Sequence, residues 1–248
     1  VSTTVHFSVV NSLPQPVDEN VLVFLMPVNA NQNYQFAAWQ NLNIGSNGGS
    51  QPFNFIIDIA VQAVDQTNGS ASPLMPINPG EVLQVIYNNV GGIALTPATG
   101  ADTERVTPSQ AGIVNHLTPN PHLIQTNWYV NANPCCSIQN LNQNSIQTFE
   151  LESSLYFYAA IPTVQGFNYT LQQVSMQTQY IIPASATDVT TIWSRPGGMA
   201  GADTFTFDPL SSTIPGSVSP YVAEVRGYQS PSSGGHRATA QDRGARRH

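Results

Sequence analysis

The chain has 248 residues, 41% of them hydrophobic and only 8% charged, where a soluble domain usually carries about a quarter of charged residues. That much apolar material excludes a disordered chain and suits one large β domain or two small ones. Three arginines face thirteen acids before Ser230, the net charge is −7 and no lysine is present, so no nucleic-acid partner is predicted.

Taken in chain order, the opening "VHFSVV" alternates, with Val5, Phe7 and Val9 on one side, as a half-buried strand does. "VLVFLM" (Val21–Met26) is apolar throughout and reads as a strand covered on both faces. "NYQFAAWQNL" (Asn33–Leu42) has some helical character, but the similar "NYTLQQVSMQTQY" further on favours strands in both places. In "FNFIIDIAVQAV" the residues Phe53, Phe55, Ile57, Ile59, Val61 and Ala63 share one side, which predicts a single long strand. "VLQVIY" reads as another doubly covered strand. "TFELESSLYFYA" and "DTFTFDP" alternate again. Turn-forming runs such as "SLPQP", "NPGE", "NNVGG" and "RPGGMAGAD" separate these segments about every ten residues, the spacing of a sandwich or barrel. The predicted fold is all-β, with an antiparallel β-sandwich architecture.

Two stretches echo one another. Pro27 and Pro162 are each followed six residues later by an Asn-Tyr pair, and "FSVVNSL" (Phe7–Leu13) shares its Phe, Ser and Leu offsets with "FELESSL" (Phe149–Leu155). This predicts two related units, 1–145 and a shorter 146–230. Residues 231–248 hold four of the seven arginines in a Gly/Ser-rich context and read as a disordered basic tail.

No apolar run reaches the roughly 18 residues of a transmembrane helix. The opening residues lack the basic start and long apolar core of a signal peptide, and localisation stays open. Cys135-Cys136 reads either as a vicinal disulfide or as two free thiols; no third Cys or adjacent His completes a zinc pattern. His116 and His122, with Asp102 and Glu104 upstream, are weak metal candidates, since six residues with two prolines between them impose no shared face. No Gly-flanked nucleophile, phosphate loop or paired carboxylate indicates an enzyme, and no cofactor is predicted.

The remaining chemistry lies in rings next to amides: Tyr34 and Trp39; Asn127, Trp128 and Tyr129; Trp193 and Arg195. A neutral sugar is held by stacking on a ring and bonding its hydroxyls to amides. These seven residues are therefore the expected ligand contacts of a non-catalytic module for neutral glycans or another neutral polar ligand. The alternative is a self-assembling or pore-forming homo-oligomer, because low charge weakens self-repulsion and polar strands can pair edge to edge; a third reading, ranked below both, is a metal-dependent enzyme using the loop of His116 and His122.

Overall fold

Alternation along the chain becomes eighteen strands in a computed structural model, which describes residues 4–118, 122–161 and 166–210. The first nine are β1 (Val5–Asn11), β2 (Asn20–Pro27), β3 (Tyr34–Phe36), β4 (Gln40–Leu42), β5 (Gly49–Phe55), β6 (Ile59–Asp65), β7 (Met75–Pro76), β8 (Val82–Tyr87) and β9 (Ile93–Pro97). An exposed 3₁₀ turn, Gly100–Arg105, leads to β10 (Ala111–Asn115), β11 (Ile124–Val130), β12 (Asn133–Leu141), β13 (Ile146–Phe149), β14 (Leu151–Ala160) and β15 (Tyr169–Thr170). A single helical turn, α1 (Leu171–Ser175), precedes β16 (Thr178–Ile181), β17 (Asp188–Ser194) and β18 (Thr204–Asp208).

The strands form four sheets: β18-β17-β1-β5, β16-β14-β2-β4, β15-β3-β12-β11-β6-β7 and β13-β10-β8-β9. All ladders are antiparallel except β1 with β17 and β8 with β10. The first two sheets pack face to face through rings. Phe7 lies edge-on to Tyr180 at 6.0 Å, and Tyr180 stacks on Phe207 at 4.5 Å. The other two sheets meet where Trp128 stacks on Phe149 at 4.4 Å. A seam joins the sandwiches: Phe24 of β2 packs against Tyr169 of β15 at 4.8 Å. This explains why β2 is buried along nearly its whole length, as its unbroken apolar run requires. In contrast, β8 keeps a half-exposed outer face.

Three expectations are corrected. "FNFIIDIAVQAV" is not one strand: it breaks at 56–58, leaving Ile57 46% exposed, and passes from one sandwich to the other. "TFELESSLYFYA" breaks likewise at Glu150. In "NYTLQQV" the helical turn wins over strand propensity because Thr170 and Gln173 form a reciprocal capping box, each side chain accepting from the other's backbone N–H at 3.3 and 2.8 Å.

Sheets do not divide at 145/146. Strands β14, β16, β17 and β18 complete the sandwich begun by β1, β2, β4 and β5, so the two predicted spans are interwoven. The echo behind that division pairs strands that are neighbours: β2 lies antiparallel to β14, and β3 to β15. Phe7 and Phe149 lie in different sandwiches. Pro162 and residues 231–248 lie outside the described residues.

Candidate functional site

A buried tryptophan ring removes a large apolar surface from water and still needs a partner for its N–H. All three tryptophans follow that rule. Trp39, 2% exposed, donates from Nε1 to the Val130 carbonyl at 2.8 Å and meets Phe53 and Phe55 edge-on. Trp128, fully buried, donates to Thr126 Oγ1 at 2.9 Å. Trp193, also fully buried, donates to Asp203 Oδ1 at 2.7 Å. None presents a face to solvent, so the stacking floor expected of these rings is not formed.

Arg195 is likewise committed. Its side chain, 7% exposed, bonds Asp203 at 2.8 Å and Glu19 at 2.7 Å. Together these carboxylates outweigh the burial that would lower its pKa, and they hold it above the ordinary value. Asn127 donates to Gln62 and accepts from Gln125 at 2.7 Å, while Tyr129 remains half-buried, edge-on to Phe167.

The two histidines do not converge. His116 bonds Asp102 at 2.7 Å and Asn144 at 3.2 Å, whereas His122 bonds Asp65. Burial alone would raise the Asp65 carboxyl, but bonds from the His122 ring and the Thr67 amide outweigh it and hold it low. For Asp102, the His116 bond, followed by that of Arg105, lowers the carboxyl. Among the described residues no three His, Cys, Asp or Glu side chains gather around a common point. Cys135 and Cys136 are buried free thiols within β12. The strand is irregular here, its register shifting opposite Trp128 and Tyr129, and the two side chains lie against one another as thiols. Burial, then the neighbouring Cys135, raises the Cys136 thiol well above its usual value.

Tyr34 is different. It sits at the base of a groove of about 320 Å³ between the segment before β3, the end of β12, and β13. Asn29, Asn31 and Asn33 form one wall; Gln139, Asn140 and Asn142 form the other, with Ser145, Gln147 and Thr148 beyond. Ile138, Leu141 and Ile146 complete the lining, which contains no charged residue. A bond from the Gln139 amide N–H to the Asn33 carbonyl, at 3.3 Å, ties the walls together. Asn31 Oδ1 is used locally, accepting from the Asn33 backbone, and Gln147 bridges Thr126 and the Gln139 carbonyl. The side-chain amides of Asn29, Asn33, Gln139, Asn140 and Asn142 have no hydrogen bond to the described residues. Burial, then the nearby Cys136, pushes the Tyr34 phenol up to about 12. It remains a neutral donor at any ordinary pH.

The chain matches no family model, no curated protein and no solved structure. Among the described residues no helix is long and apolar enough to cross a membrane.

Of the seven expected contacts, only Tyr34 lines this groove. The five uncommitted amides around it were not singled out from sequence, because Asn and Gln are so abundant along the chain that a functional amide looks like background. Their one distinguishing signal was local crowding: "VNANQN" and "QNLNQN" are the two densest amide runs beside a strand.

Proposed function

We propose that the protein is a non-catalytic binding module that takes a neutral glycan in the amide-lined groove. Recognition of an uncharged polyol needs several donors and acceptors at fixed positions and no charge demanding neutralisation. The observation that carries the reading is the lining itself: five side-chain amides without partners among the described residues surround a buried phenol, and no acid or base lies among them. Each uncommitted amide offers a donor pair and an acceptor, which matches the alternating donor and acceptor character of adjacent sugar hydroxyls. Ile146 supplies a half-exposed apolar contact at the rim.

A glycan array, followed by isothermal titration with the best neutral sugar, tests this. Replacing Asn33 and Asn142 by Ala is expected to weaken binding by roughly five- to tenfold for each amide lost, with the thermal midpoint unchanged. Absence of binding to every neutral sugar on the array would overturn the reading.

A further inference from the structure

Eight strands of one sandwich match eight of the other in connectivity, with β3 and β15 outside the correspondence. β1 pairs antiparallel with β5 and parallel with β17; β10 pairs antiparallel with β13 and parallel with β8. β17 pairs with β18 as β8 does with β9. In the partner sheets β2 pairs with β14 and β4, and β14 with β16; β11 pairs with β6 and β12, and β6 with β7. The two parallel ladders among the described residues occupy equivalent places.

Sequence follows the same correspondence. "VNSL" (Val10–Leu13) recurs as "VNHL" (Val114–Leu117), "VNAN" at 28–31 recurs at 130–133, and "QNLN" at 40–43 recurs at 139–142. These blocks appear in one order, and each set ends at a Phe that closes a strand, Phe55 or Phe149. The chemistry repeats too. Asn11 and Asn115 are both fully buried; each accepts from the backbone N–H two residues on, and donates across to a carbonyl, of Ile44 and Leu141 respectively. The next residue's N–H bonds a carbonyl of the parallel strand in both cases, Ser12 to Trp193 and His116 to Val85.

The geometry points to a chain made of two copies of one eight-strand module with exchanged halves, and to a second ligand site related to the first by that exchange. Strands β1, β2, β4 and β5 of copy one are completed by β14, β16, β17 and β18 of copy two; β6 to β9 of copy one are completed by β10 to β13, and β3 and β15 extend the six-stranded sheet. The hinges, residues 56–58 and Glu150, are too short to let one half fold back on the other, a known route to exchange.

The groove already described joins the "VNAN" segment of copy one to the "QNLN" segment of copy two. Reversing the copies places Asn131 and Asn133 against Gln40 and Asn43. The Trp39 indole, bonded to the Val130 carbonyl at 2.8 Å, ties these segments together. Asn43 is exposed, the other three are half-buried, and none of the four side chains has a hydrogen bond to the described residues. This second site takes the same class of ligand, a neutral glycan, and rests on the function proposed above.

Titration calorimetry on the full chain with maltose, cellobiose and chitobiose decides it. Two sites per chain are expected with the sugar that binds. Asn33→Ala with Asn142→Ala leaves one of them, and Asn43→Ala with Asn133→Ala leaves the other, each pair with an unchanged thermal midpoint. One site per chain, insensitive to the Asn43 and Asn133 changes, overturns the second site and leaves the first. No binding of any of the three sugars overturns both.

Discussion

Arg195 shows how a nearly charge-free protein uses its few charges. The guanidinium reaches the segment before β2 through Glu19, and Asp203 in the β17–β18 connection through two nitrogens, at 2.8 and 3.0 Å. Asp203 Oδ1 also accepts from the Trp193 indole. Truncating Asp203 therefore strands a buried indole N–H and half of the positive charge's compensation. Asp203→Ala is expected to destabilise the protein by about 3 kcal/mol, read as a lower midpoint in urea with an unchanged slope. Asp203→Asn, which keeps an acceptor, loses less. The sequence made the neighbourhood of Trp193 and Arg195 legible but not its direction. Burial of an indole is decided by what the opposite sheet presents, and no local pattern reports that.

At the scale of elements, period-two alternation made the strands legible wherever one face was buried. It failed at 56–58 and at Glu150, because the pattern runs on across a change of sheet: Phe55 and Ile59 are both buried, in different sandwiches. The two ends of the connection between β10 and β11 are fixed by side chains. His116 ties it to Asp102 in the 3₁₀ turn, and His122 ties it to Asp65 at the end of β6.

Both carboxyls are held below the ordinary carboxylate range. A depressed folded-state pKa gives stability that is present above the unfolded value, about 3.9 for Asp, and is lost as pH falls through the folded value. The thermal midpoint is therefore expected to drop below about pH 4, and Asp65→Asn should flatten that limb. The alkaline limb has the opposite sign. Burial, then Asp208, raises Tyr180 to about 12, as burial and Cys136 raise Tyr34. Stability from these phenols is present below pH 10 and lost as pH rises from there toward 12. A midpoint that does not change from pH 3 to 11 would contradict both signs.

At the scale of the whole molecule, the proposed exchange between the halves was the least legible level. The sequence comparison set "FSVVNSL" against "FELESSL" and so matched β1 to the strands around the Glu150 hinge. The blocks that share a place in the sheets lie 104, 102 and 99 positions apart, whereas that echo used offsets of 142 and 135. Neighbouring strands in one sheet need similar alternation to share a core, so they resemble each other for packing reasons alone. Asn at the end of β1 and of β10 is more telling, since burying an amide requires particular partners.

Exchange also has a mechanical consequence. A protease site placed after Glu104, in the exposed turn between β9 and β10, divides the chain between the two copies while breaking no strand. Each sandwich then draws four of its eight equivalent strands from either piece. Separating the pieces would open both cores at once and expose β2 and β14 along their full lengths, at an apolar cost of roughly 25 cal/mol per Å² uncovered. The cleaved protein is expected to run as a single particle of unchanged size in gel filtration and to separate only in denaturant. Two separate modules joined merely by a linker would fall apart on cutting or be held only by the seam of the Phe24–Tyr169 contact, the Trp39–Val130 bond and the short β3–β12 ladder. Mild urea that leaves the far-ultraviolet circular dichroism intact would release them, and such a release would contradict the exchanged architecture.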